Sequence, residues 1–364
     1  MAFDECVRRN VRYAAGSANA PGGAVAAEMA ARRDYRTRRT RPRALGLLLA
    51  LVLLATPLVA GWHLLRGGDD TLAGQGREAG GGTLTRLPGS AWPARGQAAI
   101  VLGDGRPAVS PHQRPAPIAS LAKVMTAYLT LKRHPLGDGD PGFTMTVSPA
   151  QAEAVAAEAD EGQSVVPVAA GERLTERQLL EALLIPSGNN IARMLAVGVG
   201  GSEADFVDAM NDEARALGMS HTTYTDPSGF DPGTVSTAAD QLRAFRRAMR
   251  FPAFRRIVSM ASVTLPVAGT VANFNPLIDE GYGGKTGSDS AAGGCLAFST
   301  EVTVAGHSRT AVGVVMGQGE GSDTGALLAA AGEAAEGLVD SVAFRRHIEN
   351  DIRVGNAAPP KLAP

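Results

Sequence analysis

Cysteine and lysine are both scarce in this sequence of 364 residues. The two cysteines, Cys6 and Cys295, offer no disulfide framework, so a packed core must hold any folded domain. The six histidines show none of the spacings of a zinc peptidase, and no Gly-x-Ser-x-Gly elbow occurs. These absences argue against a zinc peptidase and an α/β-hydrolase. We predict no metal and no cofactor.

A strong charge of either sign is also lacking, since the net charge is −1, but the charges are unevenly distributed. Residues 1–43 carry ten arginines against four acids, whereas the remainder carries 25 basic and 32 acidic residues. A mildly acidic main body has no basic face for nucleic acid. We therefore expect no nucleic-acid partner.

The only long hydrophobic run is the uncharged stretch of residues 44–62, close to the length that crosses a bilayer. Four arginines lie just before it, between residues 38 and 43, which predicts a cytoplasmic N-terminus and an exported main body. A cleaved signal peptide is the competing interpretation, and Met29 competes with Met1 as the start. We favour an uncleaved anchor in the cell membrane.

The pattern then divides the chain. We predict a cytoplasmic basic segment at 1–43, a transmembrane anchor at 44–65, a Gly-rich linker at 66–91, one folded domain at 92–350 and a tail at 351–364.

Within the folded domain, short strands come first, a mostly helical middle follows, and a block of strands and closing helices ends it. Capping boxes begin helices at Ser148 and Thr175. The late strands are predicted at 263–267, 271–274, 281–286, 295–300 and 310–316, and the closing helices at 324–338 and 342–348. This order predicts an α/β fold of the α+β type. An antiparallel sheet built from both ends of the domain would be flanked by helices and by a separate helical lobe, with a cleft between them.

The candidate reactive pair is Ser120 and Lys123, three residues apart at the start of an apolar-periodic run. On a helix, residues at this spacing share one face, so the amine can meet the hydroxyl. A serine becomes a useful nucleophile when a neighbouring base takes its proton, and a lysine kept neutral by its surroundings can be that base. A surface helix with an unremarkable Ser and Lys is the alternative.

Two further motifs follow in order, Ser187-x-Asn189 and Lys285-Thr286-Gly287, in a chain with only four lysines. With residues 118–128, 186–190, 226–229, 236–240 and 273–277, these motifs resemble the low-molecular-mass penicillin-binding proteins, the serine-type D-alanyl-D-alanine carboxypeptidases. The resemblance covers about residues 92–345. It implies the β-lactamase/transpeptidase-like fold.

The resemblance also implies the roles of these residues. Ser120 would attack the carbonyl between two D-alanines of a peptidoglycan stem peptide, Lys123 would take its proton, and penicillin would acylate the same serine. Repulsion from Lys285 would help to keep Lys123 neutral. The remaining site residues would be Ser187 for proton transfer, Asn189 for the substrate backbone, Lys285, Thr286 and Gly287 for the terminal carboxylate, and the N–H groups of Ser120 and Ser288 as oxyanion donors.

Two other readings stay open. A β-lactamase or a serine esterase on the same fold shares the motifs, although the Glu-x-x-Leu-Asn typical of a lactamase is missing from the middle lobe. A catalytically silent penicillin-binding or wall-binding protein would carry a damaged motif, and none is damaged here. We therefore expect a carboxypeptidase whose partners are stem peptides ending in D-Ala-D-Ala, β-lactams and, through the N-terminal helix, the membrane.

Overall fold

The computed structural model describes residue 87 and residues 89–304 and 306–355. Its strands are β1 (Gln97–Leu102), β2 (Ala108–Val109), β3 (Ala116–Pro117), β4 (Thr144–Thr146), β5 (Arg173–Thr175), β6 (Val235–Ser236), β7 (Ser262–Leu265), β8 (Gly269–Ala272), β9 (Gly283–Asp289), β10 (Gly293–Val304) and β11 (His307–Gln318). Its α-helices are α1 (Ala122–Arg133), α2 (Pro149–Asp160), α3 (Glu176–Leu184), α4 (Asn189–Gly200), α5 (Glu203–Ala216), α6 (Ala238–Ala248), α7 (Pro252–Val258) and α8 (Thr324–Gly355).

The predicted cytoplasmic segment, the anchor at 44–65, most of the linker and most of the tail lie outside the described residues. Among the helices that are described, none combines the length and the apolar character needed to span a membrane.

Five strands form one antiparallel sheet in the order β2-β1-β11-β10-β9. Strand β1, at the start of the domain, pairs with β11 near its end, and Ala99 lies opposite Val314. Strand β10 pairs with β11 on one side and β9 on the other. The prediction that strands from both ends of the domain share one sheet is confirmed. Strand β9 forms one edge of this sheet.

Both faces of the sheet are covered, as strand β1 shows. Ala99 and Val101 pack into the core shared with the helices of the middle segment, whereas Ala98 and Ile100 pack into a second core that includes residues of α8. Successive residues of a strand point to opposite faces, so a strand covered on both sides is apolar throughout. This explains why β1 shows no polar alternation.

Helix α1 is the interior helix of the helical lobe, and residues 122–131 are all buried. It contacts α3, α4 and α6, and a helix surrounded in this way is apolar on nearly all sides. Lys123 is an exception to that composition. It stands in the first turn of α1 and is completely buried, so the fold places an amine in the interior.

The predicted capping boxes are confirmed. The side chain of Ser148 caps α2 with Gln151, and the side chain of Thr175 caps α3 with Gln178. Each box gives hydrogen-bond acceptors to two backbone N–H groups at a helix start.

The closing segment differs from the prediction. Residues 324–338 and 342–348 belong to one continuous helix, α8, because residues 339–341 contain no helix-breaking glycine or proline. The late strands β7 and β8 also differ, since they pair with each other as a separate two-stranded sheet.

Candidate active site

Ser120 lies on a short 3-10 turn, Ala119–Leu121, that leads directly into α1. The prediction of one α-helix carrying both Ser120 and Lys123 is wrong in this detail, but the three-residue spacing still brings the two together. The Nζ of Lys123 lies 2.7 Å from the Oγ of Ser120. Ala119 has a φ of 44°, a left-handed conformation that costs about 1–3 kcal/mol and is found preferentially at functional sites.

Lys123 has three polar neighbours in the buried interior. Besides Ser120, its Nζ donates to the Oδ1 of Asn189 at 2.6 Å and to the carbonyl oxygen of Ser228 at 3.1 Å. A neutral amine has two N–H donors and one lone pair. If Asn189 and Ser228 take the two donors, the lone pair is left for the hydroxyl proton of Ser120.

The pKa of Lys123 lies well below its ordinary value of 10.5. Burial is the largest cause, and the positive charge of Lys285 lowers the pKa further, whereas Asp226 opposes both. Sequence analysis predicted that repulsion from Lys285 would help to lower this pKa. The structure makes burial the greater one, because the amine is enclosed by α1, α4 and the loop at Ser228.

Ser187 lies in the tight turn just before α4 and has a φ of 63°. Helix α4 begins at Asn189, so the helix itself presents the Asn189 amide to Lys123. The Oγ of Ser187 accepts a hydrogen bond from the Nζ of Lys285 at 3.0 Å. This segment therefore contacts both lysines, since Asn189 binds Lys123 and Ser187 binds Lys285.

Lys285 lies on β9 and is buried almost completely. Its Nζ also donates to the carbonyl oxygen of Thr286 at 2.8 Å. Burial lowers the pKa of Lys285 from 10.5 to about 7. The amine therefore titrates near neutrality, where a modest change in its surroundings decides whether it carries a charge.

Gly287 is the point where β9 meets the Ser120 turn. A Cβ at this position would lie 2.9 Å from the carbonyl oxygen of Ile118 and 3.0 Å from the backbone nitrogen of Ser120. A residue with a side chain would push the strand and the turn apart. The next residue, Ser288, is half-buried, and the N–H of Ser120 has no acceptor outside its own turn among the described residues.

The predicted site residues thus come together in two hydrogen-bonded groups and one backbone contact. Lys123 joins Ser120 and Asn189, Lys285 joins Ser187, and Gly287 packs on the Ser120 turn. The hydroxyls of Thr286 and Ser288 make no hydrogen bond within the described part of the chain.

The comparisons with known proteins agree with this geometry. The model of the D-alanyl-D-alanine carboxypeptidase family matches residues 108–319, which is more than half of the chain. The chain belongs to this family.

Two relatives illustrate its range. A D-alanyl-D-alanine carboxypeptidase of Mycobacterium tuberculosis is 36% identical over 185 residues, which cover 48% of this chain and 59% of that protein. A D-alanyl-D-alanine endopeptidase of Pseudomonas aeruginosa is 31% identical over 197 residues, covering 51% of this chain and 60% of that protein. The chain thus spans about 60% of the length of these two family members.

Solved structures establish the fold. A DD-transpeptidase from Streptomyces superposes with a TM-score of 0.59 at 24% identity, covering 70% of this chain and 99% of the other. A putative penicillin-binding protein homolog from Mycobacterium tuberculosis superposes with a TM-score of 0.56 at 27% identity, covering 78% of this chain and 98% of the other. The penicillin-binding, transpeptidase-like fold expected of the family is confirmed.

Sequence analysis recognised the motif at residues 226–229 but assigned it no role, and in the structure the Ser228 carbonyl of this loop contacts Lys123. Asp226 accepts hydrogen bonds from the backbone N–H groups of Ser228, Gly229 and Phe230, and from the hydroxyl of Thr234 at 2.7 Å. This network points the Ser228 carbonyl at Lys123. A Cβ on Gly229 would lie 1.8 Å from the carbonyl oxygen of Ala119. The backbone of the loop therefore packs directly against the Ser120 turn.

The loop between α2 and β5 supplies two contacts that sequence analysis missed. The Oε1 of Gln163 accepts hydrogen bonds from Asn189 and Arg193, and Arg193 forms an ion pair with Glu158 at the end of α2. Arg193 follows Asn189 by four residues, so the helical period places both on one face. This four-residue spacing is the one feature of the sequence that could have identified Arg193 as a neighbour of the site. No pattern marked Gln163.

Proposed function

We propose that this chain is a serine-type D-Ala-D-Ala carboxypeptidase that removes the terminal D-alanine of peptidoglycan stem peptides through an acyl-enzyme at Ser120, and that penicillin acylates the same serine. Membership of the D-alanyl-D-alanine carboxypeptidase family supports the class of reaction. The contact that carries the proposal is the 2.7 Å separation of the Lys123 Nζ and the Ser120 Oγ, with the amine buried and its pKa lowered.

In the acylation step, the Ser120 hydroxyl gives its proton to the lone pair of Lys123 while its oxygen bonds to the carbonyl carbon of the penultimate D-alanine. Negative charge then develops on the carbonyl oxygen, and the N–H groups of Ser120 and Ser288 would receive it. Donors of this kind typically lower a barrier by about 3–4 kcal/mol each.

The tetrahedral intermediate collapses when the carbon–nitrogen bond breaks and the leaving amine takes a proton. Ser187 would donate that proton and be resupplied by the Lys285 ammonium, which lies 3.0 Å from its oxygen. Lys285 and Thr286 would hold the terminal carboxylate before cleavage. That anchor fixes the scissile bond one residue from the free carboxylate.

Water then attacks the acyl-enzyme. Its oxygen bonds to the carbonyl carbon, one of its protons returns through Ser187 to Lys285, and Lys123 gives the stored proton back to Ser120. The enzyme is restored, and the net reaction is the hydrolysis of one peptide bond by one water molecule. With penicillin the amine remains tethered to the acyl group, and the lack of the Glu-x-x-Leu-Asn of a lactamase in the middle lobe supports a slow release.

The test uses the purified full-length protein in detergent with fluorescent penicillin and a stem pentapeptide ending in D-Ala-D-Ala. We expect covalent label at Ser120 and release of free D-alanine, with both lost in Ser120→Ala. Ser322→Ala, which removes an exposed serine outside the site, should keep both activities.

The rival functions give different results in the same assay. Rapid turnover of penicillin would indicate a β-lactamase, hydrolysis of ester substrates alone a serine esterase, and labelling with neither turnover a silent binding protein. Because relatives include endopeptidases, a cross-linked peptide dimer belongs in the substrate set, since its scissile bond also lies one residue from a free carboxylate.

We further propose that residues 44–65 anchor the protein in the cell membrane as a single pass, with the N-terminus in the cytoplasm and the catalytic domain outside. The support is the apolar run and the arginines before it. Intact mass of the membrane-bound protein and its cleavage by protease added to whole protoplasts test this arrangement. A mature chain beginning near residue 61 would instead indicate a cleaved signal peptide.

A further inference from the structure

A cavity of about 530 Å³ opens at the end of the main sheet where the catalytic strand β9 finishes. The turn after β9 contributes Ser290 and Gly293, and the start of β1 contributes Arg95. The segment that leads to β3, and from there to Ser120, contributes His112 and Arg114. The function proposed above leaves this cavity without a role.

The direction of the substrate along β9 points to this cavity. In the proposed function the terminal carboxylate lies at Lys285 and Thr286, and the scissile carbonyl lies at the N–H of Ser288. A peptide extended along this edge strand therefore places its acyl part beyond Ser288. Ser290 lies two residues further on, in the turn that follows β9. Two residues of extended chain span about 7 Å, which is also the span of about two substrate residues.

The charge of the cavity indicates what it would hold. Arg95 forms an ion pair with Glu320 at one side. Among the side chains described in residues 89–304 and 306–343, none forms a hydrogen bond or an ion pair with the side chain of Arg114 or His112. The backbone carbonyl of Arg114 accepts a hydrogen bond from the Nε2 of Gln97 at 2.7 Å. This bond fixes the backbone from which the Arg114 side chain extends. Among these described side chains, Arg95 thus has an acidic partner and Arg114 has none.

Backbone strain gives a second, independent indication. Within the described residues, the non-glycine residues with positive φ are His112, Ala119 and Ser187. Two of these three stand in the reaction centre. His112, with a φ of 60°, lines the cavity. Such conformations persist where the surrounding structure imposes them, and they concentrate at ligand sites.

We propose that the cavity binds a carboxylate at the end of the side chain of the residue that precedes D-Ala-D-Ala, with Arg114 as its principal partner. The proposal rests on the proposed function, because that function sets the direction of the peptide. It makes the protein selective for stem peptides whose third residue ends in an acid over those in which it ends in an amine.

The test compares three peptides of the form N-acetyl-X-D-Ala-D-Ala with the full-length protein in detergent. X is aminopimelate, lysine or Nε-acetyl-lysine, which have the same four methylenes and end in an acid, an amine or a neutral amide. We expect kcat/KM for the aminopimelyl peptide to exceed that for the lysyl peptide about tenfold at low salt. The ratio should fall as salt is added.

Two variants should move this ratio in opposite directions. Arg114→Gln removes the anion partner and should bring the ratio close to one, whereas Glu320→Gln removes a competing carboxylate and should raise it. Arg106→Gln is the matched control, because Arg106 is an exposed arginine just beyond the opposite end of β1. A general loss of structure would lower kcat/KM for all three peptides and leave the ratio unchanged.

The outcomes separate this inference from the function beneath it. Equal kcat/KM for all three peptides, or an Arg106→Gln effect as large as that of Arg114→Gln, overturns the cavity proposal while the carboxypeptidase stands. Absence of D-alanine release from every peptide, together with no penicillin label at Ser120, overturns both.

Discussion

The Oε1 of Gln163 accepts a hydrogen bond from the Nδ2 of Asn189 at 3.0 Å. The same oxygen accepts one from Arg193 at 3.2 Å. An arginine can only donate, so its contact determines which end of the Gln163 amide faces Asn189. That arrangement in turn directs the Oδ1 of Asn189 to Lys123. The orientation of the amine beside Ser120 thus depends on a residue 40 positions away in the chain.

We expect Gln163→Ala to lower the rate constant for acylation by penicillin about tenfold, because Asn189 loses the partner that holds its amide in place. Stopped-flow labelling with fluorescent penicillin measures this rate constant. The melting temperature of the variant serves as the check on folding. An unchanged acylation rate in a folded variant would exclude the positioning role.

Arg193→Gln should act differently, through charge. The Arg193 cation lowers the pKa of Lys123, so its removal raises that pKa and shifts the ascending limb of the pH profile of acylation to higher pH. Arg193→Lys should restore the limb. Arg215→Gln, which removes an exposed arginine of α5, is the control. A limb that stays in place in Arg193→Gln would contradict the electrostatic role.

Gln163 and Ser228 are parts of the site that the sequence alone does not predict. Ser120 and Lys123 are predictable because their spacing alone brings them together, and the strands β1 and β11 are predictable from their apolar composition. Gln163 and Ser228 contact their partners across 26 and 105 residues. Such contacts depend on how the loops pack, for which no local pattern exists. Burial lowers the pKa of Lys123 more than repulsion from Lys285 does. This order also follows only from the folded structure, because the sequence does not show how deeply the amine is buried.

Lys285 should give kcat/KM for D-alanine release a descending limb near neutral pH. Its pKa is about 7, and the protonated form is the one that holds the carboxylate and resupplies Ser187. Above this pH the free enzyme loses the ammonium, and kcat/KM, which reports the free enzyme, falls. In kcat the limb should lie at higher pH, because the bound carboxylate stabilises the ammonium.

Lys285→Arg tests this assignment. A guanidinium stays protonated across the range, so the descending limb should disappear even where the overall rate is reduced. Lys132→Arg, at a lysine on the outer end of α1 that pairs with Glu213, should leave the profile unchanged. A limb near neutral pH that survives in Lys285→Arg would assign it to another group.

Gly287→Ala should slow acylation about 100-fold, because the added Cβ would meet backbone atoms of Ile118 and Ser120 and displace the nucleophile relative to β9. The comparison is with Gly337→Ala in α8, where a Cβ would have open space and alanine is the better helix former. Labelling by penicillin measures the rate, and circular dichroism checks the fold. Equal rates in the two variants would show that the close approach has no part in catalysis.

Glu176 should make the stability of the domain depend on pH. Its carboxyl is buried at the first turn of α3, one of its oxygens has no hydrogen-bond partner within the described part of the chain, and burial raises its pKa from 4.5 to about 7. The folded state therefore holds this proton more tightly than the unfolded state does. Its contribution to stability is present below about pH 4.5 and is lost as the pH rises through about 7.

Glu176→Gln remains neutral at every pH, so its free energy of unfolding should rise relative to the wild type over that same interval. Urea unfolding at pH 4.5 and at pH 8 measures the difference, with Glu153→Gln on the exposed face of α2 as the control. The expected sign follows from burial alone, because the buried wild-type carboxyl becomes charged when it loses its proton, whereas the glutamine of the variant has no such proton to lose. A difference of the opposite sign would mean that the start of α3 stabilises the ionised carboxylate more than burial opposes it.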